Sequence, residues 1–325
     1  MKCFITGGTG FIGSRTTKRL AQAGHEIKCL VRNAGNAGHL KDLGASLISG
    51  SLGDRRVLLE GMRGSDAVVN IAGAYSFWLP RKQTYTEVNI EGARNVMECA
   101  LEAGISKIVH VSTVAVYGRP ADRPFRESSA PGPVRFSEYA RTKYEGDLIA
   151  WELHESRGLP VVMVYPGAVL GPGDPKTTGE YIRNIINGRM PATVFNDSFF
   201  PFVHVQDVAE VIARAAEKEG NIGEKYMVVA ENLTFGQINH MVGEISGVPL
   251  PRLAMPGWLA MVTASLLTFA ADIGNKPPMW GMAVDQMRTM KEGAQVDGSK
   301  AERELGIAYT PIRAALEDEI SSCRR

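Results

Sequence analysis

Cysteine is scarce in this chain, and the few cysteines that it has are far apart. Cys3, Cys29, Cys99 and Cys323 are the four, scattered through 325 residues with no Cys-x-x-Cys pair. Such spacing argues against a zinc site and a dense disulfide framework, and it is typical of free thiols in a reducing compartment. We therefore predict a cytoplasmic protein that has no metal site.

The chain also lacks an excess of charge of either sign. It has 36 lysines and arginines against 35 aspartates and glutamates, which gives a formal net charge of +1. Proteins that bind nucleic acid need a basic excess to neutralise phosphates. The balance of charges therefore argues against a nucleic-acid partner and leaves a small molecule as the expected one.

Long hydrophobic runs are rare. The N-terminus enters the strand-like sequence KCFIT almost at once, which leaves no room for a signal peptide. The most apolar segment, PGWLAMVTASLLTFAADIG at residues 256–274, contains Asp272 and is shorter than the roughly 20 apolar residues that a membrane span needs. We predict a packed helix there and no membrane span, with a helix on a membrane surface as the alternative.

Short β-branched runs alternate with helical patterns over the first half of the chain. The helices are predicted at about residues 12–23, 54–62, 81–103 and 137–157, between strands with the sequences KCFIT, EIKCLV, ASLIS, AVVNIA, KIVHVS and PVVMVY. Each strand is a near-continuous apolar run, as expected for parallel strands that helices cover on both faces. The alternation predicts an α/β fold with a doubly wound parallel sheet, the Rossmann fold.

A glycine-rich turn, TGGTGFIGS, joins the first predicted strand to the first predicted helix. Gly7, Gly10 and Gly13 allow a tight turn, close approach of the backbone to a pyrophosphate, and packing of the helix on the strand. The positive end of the helix then favours the phosphates, so the pattern predicts a dinucleotide cofactor. The other predicted cofactor contacts in this loop are Thr9, Phe11 and Ile12.

The alternation ends after the sequence YPGAVLGPGD. The remainder is mostly helical and contains two short strand-like pieces, PFVHV and EKYMVV. We therefore predict a dinucleotide-binding Rossmann domain at residues 1–166, to which residues 203–219 return, and a smaller, mostly helical substrate domain at residues 167–325.

The residue that ends the second predicted strand, in CLVRN, bears on the choice of cofactor. Enzymes of this shape that bind NAD usually place a carboxylate near this position for the ribose hydroxyls. This chain has Arg32 instead, and no acid until Asp42. Because a guanidinium suits a 2′-phosphate in charge and geometry, we favour NADP(H) and keep NAD(H) as the alternative.

Several motifs in one order give the chain a family resemblance. GGTGFIG, EVNIEGARNV at residues 87–96, YARTK, YPGAVLGPGD and FVHVQDVAE follow one another along nearly the whole sequence. In this the chain resembles the extended short-chain dehydrogenases/reductases. Within them it is most similar to dihydroflavonol-reductase-like enzymes and to hopanoid-associated epimerase-like proteins.

The resemblance assigns the central chemistry to Tyr139 and Lys143 of YARTK. In the family this tyrosine is the proton donor or acceptor, and the lysine lowers its pKa while binding the nicotinamide ribose. Side chains at i and i+4 share one face of a helix, which agrees with that assignment. A free phenol titrates at about 10, and an ammonium and a nicotinamide cation nearby both favour the phenolate.

Other site residues follow from the same resemblance. The catalytic hydroxyl matches Thr113 in HVSTVAVYG, where it would hydrogen-bond the substrate carbonyl, and Ser112 is the second choice. Asn89 matches an asparagine beneath the nicotinamide, which would hold backbone or water in the proton path. Pro166 and Gly167 match a turn that contacts the carboxamide end of the cofactor. An ordinary helix asparagine and a plain turn are the alternatives.

The motif FVHVQDVAE has a structural interpretation. We predict that Asp207 caps a helix and that His204 is packed or hydrogen-bonded. Neither residue is placed in the chemistry.

Two segments depart from the family pattern. An acid usually precedes the leucine that follows the third strand, but here Ser51 precedes Leu52. After the fourth strand the family often has His-x-Ala-Ala, but here the sequence is NIAG, with Ala72 as its third residue. Leu52 and Ala72 remain predicted cofactor contacts, and the departures concern adenine binding rather than the chemistry.

Three functions are compatible with these motifs. The first is a reductase, in which NADPH delivers hydride to a hydrophobic ketone or aldehyde and Tyr139 delivers the proton. The second is a nucleotide-sugar epimerase with tightly bound NAD. The third, a cofactor sensor without catalysis, is disfavoured because a sensor does not need both Tyr139 and Lys143. A homodimer that pairs through the helix of Tyr139 is possible for a protein of this shape.

Substrate chemistry favours the reductase. Enzymes acting on nucleotide sugars usually offer an asparagine after the sixth strand, which YPGAVLGPGD lacks, and arginines in the C-terminal domain. The arginines considered there have no distinctive spacing; they are Arg183, Arg189 and Arg252. The predicted substrate wall is apolar instead, with Phe136, Val169 and the sequences GAYSFW and VFNDSFFPF. Core packing is the alternative for any one of these aromatic residues.

The assignment of Arg32 predicts a difference between cofactors. We expect Arg32→Ala to weaken the binding of NADPH more than that of NADH, because only NADPH has the 2′-phosphate. Titration of wild type and variant with each cofactor measures this, and an equal loss for both would contradict the assignment.

Overall fold

A seven-stranded parallel sheet forms the centre of the molecule. A computed structural model describes residues 1–251 and 253–323. The sheet has the strand order β3-β2-β1-β4-β5-β6-β9. Its strands are β1 (Lys2–Thr6), β2 (Glu26–Val31), β3 (Ser46–Ser49), β4 (Ala67–Asn70), β5 (Lys107–Val111), β6 (Val161–Pro166) and β9 (Lys225–Val228). The predicted doubly wound sheet is confirmed, and its order reverses between β1 and β4.

Helices cover both faces of this sheet, as the unbroken apolar strands require. On one face α1 (Phe11–Gln22) and α8 (Val205–Glu217) pack together over the strands. On the other face lie α3 (Arg55–Met62), α5 (Gly92–Glu102) and α6 (Glu138–Arg157). The chain between β2 and β3 forms a 3-10 turn (Ala34–Ala37) and the short α2 (Gly38–Lys41).

The helix predicted at residues 81–103 is interrupted. It consists of α4 (Gln83–Tyr85), a π-helical segment (Thr86–Glu91) and α5. The wider turn contains the buried Asn89, and its backbone carbonyl would lie 2.4 Å from a Cβ at Gly146 of α6. Glycine at position 146 therefore allows the π-helical segment and α6 to approach closely.

A second layer of structure follows β6. It contains a three-stranded sheet, β10-β8-β7, formed by β7 (Ala168–Leu170), β8 (Phe199–His204) and β10 (Glu231–Thr234). The sequence analysis predicted β8 but missed β7 and β10, because strands this short have no recognisable periodicity. The helices of this region are α7 (Thr177–Ile186), α9 (Phe235–Ser246), α10 (Gly257–Gly274), α11 (Val284–Glu292), α12 (Ser299–Leu305) and α13 (Ile312–Cys323).

Two segments of the second half return to the large sheet. Helix α8 packs on α1, and β9 pairs with β6 at its edge. The return of residues 203–219 to the Rossmann domain stays a prediction. The domain boundary at residue 166 stays a prediction.

The predicted cap at Asp207 is wrong. Helix α8 begins after His204, and no side chain caps it. Asp207 lies inside the first turn, where its carboxylate accepts hydrogen bonds from the backbone nitrogen and Oγ1 of Thr310, at 2.8 and 3.0 Å. It therefore ties the C-terminal segment to α8. His204 is buried, as predicted.

The prediction for residues 256–274 is correct for the helix and wrong for its packing. Helix α10 spans Gly257–Gly274, but its large apolar side chains, among them Trp258, Leu266 and Phe269, are exposed. Only small residues on its other face are buried. Hydrophobicity alone did not distinguish which face packs on the protein.

Candidate active site

A cavity of about 1120 Å³ lies at the carboxyl ends of the central strands. The last residues of β1 and β6 line it, and residues of the second layer close its other side. Its volume exceeds the roughly 300–1,000 Å³ that is usual for a site holding one small ligand. In open α/β sheets, ligands bind at this edge, where the strand order reverses.

One end of the cavity is a backbone cradle. Gly7 has a φ of +73°, and a Cβ there would lie 2.7 Å from the backbone nitrogen of Ala72. A Cβ at Gly13 would lie 2.0 Å from the carbonyl oxygen of Gly7. The N-terminus of α1 follows, and Gly10 provides no side-chain cap for its free N–H groups. The cradle fits a pyrophosphate held by backbone and helix terminus.

The predicted contacts around this cradle line the cavity. They are Thr9, Phe11, Ile12, Leu52 and Ala72. Arg32 also lines it and is exposed, with its guanidinium available to a ligand.

Lys176 is a second cation near Arg32 that the sequence analysis missed. Burial lowers the pKa of Lys176, Asp174 opposes this effect, and the charge of Arg32 adds to it. Its ammonium donates a hydrogen bond to the carbonyl oxygen of Tyr75 at 2.9 Å. No motif marks this lysine in the sequence, because its proximity to Arg32 depends on the folding of the loop after β7.

Tyr139, Thr113 and Lys143 meet at the centre of the cavity. The phenol of Tyr139, on the first turn of α6, lies close enough to the side chain of Thr113 for that side chain to lower its pKa. Thr113 follows β5 and also accepts a hydrogen bond from the backbone nitrogen of Ala115 at 3.3 Å. The ammonium of Lys143 is buried and donates to the carbonyl oxygen of Val111 at 2.9 Å. All three predicted catalytic residues line one cavity.

Ser112, the second choice for the hydroxyl, has a different partner. Its Oγ donates to Oδ2 of Asp147 at 2.7 Å. Asp147 is a buried carboxylate that the sequence analysis missed. It lies four residues after Lys143 on α6, as Lys143 lies four after Tyr139, and that repeat was a signal for it.

A buried polar chain continues behind Asp147. Its Oδ1 lies 3.6 Å from Nε2 of His110, whose Nδ1 contacts the side-chain nitrogen of Asn70 at 2.9 Å. Asn70 in turn accepts from Thr6 at 2.6 Å. Burial and the charge of Lys143 lower the pKa of His110. The imidazole is therefore neutral and does not add a second cation behind the site.

The electrostatics of Tyr139 differ from the expectation. Burial raises the pKa of Tyr139 above its ordinary range, with a further contribution from Tyr75, and the hydrogen bond from Thr113 lowers it only in part. Burial also lowers the pKa of Lys143, which Asp147 opposes. Because burial dominates both groups, the protein alone favours a neutral phenol, which is the form that donates a proton.

Asn89 does not line the cavity. Its side-chain oxygen accepts from the backbone nitrogen of Ala74 at 2.8 Å, and its amide nitrogen donates to Oγ1 of Thr142 at 3.0 Å. It therefore holds the loop after β4 against α6 and is a positioning residue. Holding backbone is one of the roles that the family resemblance implies for Asn89, and its place beneath a nicotinamide stays a prediction.

Pro166 and Gly167 line the cavity at the end of β6. A Cβ at Gly167 would lie 2.4 Å from the carbonyl oxygen of Pro201 on β8. The glycine thus allows the second layer to close against the end of β6, next to Tyr139 and Thr113.

Aromatic side chains form the wall opposite the cradle. The ring of Tyr75 meets that of Tyr139 edge to face, with centroids 5.0 Å apart. Phe77, Phe136 and Phe200 also line this part of the cavity. Trp78 of the predicted wall points elsewhere, and its Nε1 donates to Asp272.

Two of the arginines considered for a nucleotide sugar, Arg183 and Arg189, do not line the cavity. Arg183 donates to the carbonyl oxygen of Asp174 at 2.5 Å, and Arg189 is exposed outside the cavity. Arg252 lies outside the described residues. Within residues 1–251 and 253–323, no group of three His, Cys, Asp or Glu side chains is placed to hold a metal ion.

Three comparisons relate the chain to known proteins. Residues 3–229 match the NAD dependent epimerase/dehydratase family. The chain is 32% identical to sterol demethylase protein B of Methylococcus capsulatus, over 99% of this chain and 98% of that protein. It is 30% identical to a dihydroflavonol 4-reductase-like protein of Synechocystis sp., over 98% and 93%. The crystal structure of gox2253 is 33% identical, with a TM-score of 0.84 and coverage of 99% and 97%.

The raised pKa of Tyr139 predicts a pH dependence. Because burial disfavours the phenolate, we expect no ionisation of Tyr139 in the protein alone between pH 7 and its ordinary value of about 10. A positively charged oxidised nicotinamide would lower the pKa and bring the transition into this window. The measurement is the ultraviolet phenolate absorbance of wild type minus that of Tyr139→Phe. A transition near pH 8 without cofactor would contradict the expectation.

Proposed function

We propose that this chain, which belongs to the NAD dependent epimerase/dehydratase family, reduces the carbonyl of a hydrophobic ketone or aldehyde with NADPH. It is an NAD(P)-dependent enzyme of the extended short-chain dehydrogenase/reductase type. The aromatic wall beside Tyr139 is the observation that carries this proposal. Tyr75 meets the ring of Tyr139 edge to face, Phe77 packs on Tyr75, and Phe136 and Phe200 line the same cavity. Such walls suit an apolar molecule.

The charges around this space also support an apolar substrate. A nucleotide sugar has two phosphates, which arginine forks would bind bidentately. Arg183 is committed to a backbone carbonyl, and Arg189 lies outside the cavity. The names of the relatives, with a sterol in one and a dihydroflavonol in the other, agree with an apolar ring system as substrate.

Each of the three central residues has a proposed role. The hydroxyl of Thr113 donates a hydrogen bond to the substrate carbonyl oxygen and orients it towards Tyr139. Tyr139, kept neutral by burial, donates its proton to the oxygen as that oxygen becomes an alkoxide. Lys143, one helical turn after Tyr139 on α6, is the cation proposed to stabilise the phenolate that remains.

The cofactor binds along the cradle. The backbone at Gly7 and Gly10 and the N-terminus of α1 hold the pyrophosphate, and Pro166 and Gly167 border the nicotinamide. Arg32, with Lys176 nearby, holds the 2′-phosphate, which favours NADP(H) over NAD(H). When bound, this cofactor supplies the hydride.

The proposal includes a cytoplasmic location and a possible homodimer. The thiols of Cys3, Cys29 and Cys99 are buried and free, in keeping with a reducing, cytoplasmic environment. Helix α6 exposes Leu148, where a second copy could pair through the helix of Tyr139.

The variant Tyr139→Phe, which lacks only the phenolic oxygen, tests the proposed function. We expect Tyr139→Phe to lower the turnover of NADPH-dependent reduction by about 10²–10⁴-fold, because the proton donor is removed, and to leave the affinity for NADPH unchanged. Tyr181→Phe is the matched control, since Tyr181 lines the same cavity but donates to Asn239 at 2.7 Å. We expect it to retain turnover within tenfold.

The nucleotide in freshly purified protein separates the reductase from the epimerase. Mass spectrometry after denaturation identifies whatever is released. A reductase exchanges its cofactor in each turnover, so little nucleotide or exchangeable NADP is the expected result. Near-stoichiometric NAD, or full turnover in Tyr139→Phe, would contradict the proposed function.

A further inference from the structure

Helix α10 exposes large apolar side chains and buries small ones, the opposite of an ordinary surface helix. Its outward face is a continuous stripe of large apolar side chains at spacings of four, four, three and four residues. These side chains are between 50% and 72% exposed. They are Trp258, Val262, Leu266, Phe269 and Ile273.

The inward face holds the helix on the protein through small residues, with the partly buried Met261 packed beside them. Ala260, Ala264 and Ala271 are buried there, so the helix backbone lies close to the core. Oγ1 of Thr268 accepts a hydrogen bond from the backbone nitrogen of Val284, at the start of α11, at 2.9 Å. A soluble helix places its large apolar residues inward. Here they face outward from a fixed position.

The polar side chains on the exposed side are satisfied by the protein. Oγ of Ser265 donates to the carbonyl oxygen of Met261 at 2.9 Å. The carboxylate of Asp272 accepts from Nε1 of Trp78 at 2.8 Å and from Nζ of Lys82 at 3.0 Å. The stripe can therefore leave water without an unpaired hydroxyl or carboxylate, as an apolar environment requires.

The ends of the helix have the chemistry of a bilayer interface. Trp258 lies at its start, and Trp280 and Met279 lie shortly after its end, all largely exposed. Lys276 is exposed between them. Tryptophan prefers the level of the lipid headgroups, and lysine is attracted to anionic headgroups. These residues at the ends of the stripe favour lipid over a second copy of the protein.

The stripe also lies next to the cavity. The loop that Trp78 anchors to α10 contributes Phe77 and Leu79 to the cavity wall. Helix α11, which packs on α10, contributes Met290. Two elements in contact with α10 therefore form the outer wall of the substrate space.

We propose that α10 docks the protein on the surface of a lipid bilayer, with its stripe in the interface plane. By length and composition the helix qualifies as a candidate membrane span, but its alanine face packs on the protein and would have to detach in order to cross. Docking at this place opens the cavity towards the lipid, from which an apolar substrate enters. The docking is independent of the reaction, whereas the entry of substrate rests on the proposed function.

The test is flotation of the purified protein with vesicles of phosphatidylcholine, without and with phosphatidylglycerol. We expect wild type to float with both and more strongly with the anionic lipid. The double variant Leu266→Glu and Phe269→Glu places two charges in the stripe and should reduce vesicle binding at least tenfold. Because both side chains are 66% exposed, folding is not expected to suffer; circular dichroism and NADPH affinity verify this.

Ile222→Glu is the matched control. Ile222 is an exposed apolar residue just before β9, at the amino edge of the sheet and away from the cavity. We expect it to bind vesicles like wild type. Equal vesicle binding by the double variant and wild type, or no binding by wild type, would overturn the proposal. A dimer in light scattering that only the double variant dissociates, without vesicle binding, would assign the stripe to a second copy.

Activity separates this proposal from the proposed function. The double variant should reduce a water-soluble ketone at the wild-type rate and a ketone dissolved in vesicles several-fold more slowly. If wild type reduces neither ketone but still floats, the proposed reduction fails and the docking stands.

Discussion

The buried ammonium of Lys143 is the constraint on which the rest of the site depends. A cation in the interior needs partners, and this one has the carbonyl oxygen of Val111 at 2.9 Å and the nearby charge of Asp147. Both requirements fix α6 against the carboxyl end of β5. The same contact brings Tyr139 to the side chain of Thr113. One helix at four-residue intervals thus supplies Tyr139, Lys143 and Asp147.

The cavity joins a polar half and an apolar half. The polar half is backbone and helix terminus, where glycine is required because a Cβ at Gly7 or Gly13 would collide with main-chain atoms. The apolar half comes from the loop after β4 and from the second layer, with Tyr75 packed on Tyr139. Burial in the apolar half raises the pKa of the phenol and favours its neutral form, as the proposed role of Tyr139 requires.

The exposed apolar stripe of α10 lies outside the cavity, next to its apolar half. The apolar wall of the cavity and the apolar face of the helix are joined through Trp78 and Asp272. A substrate that prefers lipid to water would meet apolar surface along this whole route. Under the proposed reduction and docking, one physical property, a preference for an environment without water, would select both the substrate and the place where the protein meets it.

The sequence by itself determined the elements whose signals are local. Apolar runs marked the strands of the large sheet, Gly7 and Gly13 marked the cradle, and the order of the family motifs singled out Tyr139 and Lys143. Tertiary structure alone decided what depends on distant partners. Asp207 hydrogen-bonds Thr310 instead of capping α8, and Asn89 holds the loop after β4. Burial raises the pKa of Tyr139, whereas a nearby ammonium by itself would favour the phenolate. The faces of α10 belong to this second group, because a hydrophobic pattern does not specify which side the protein covers.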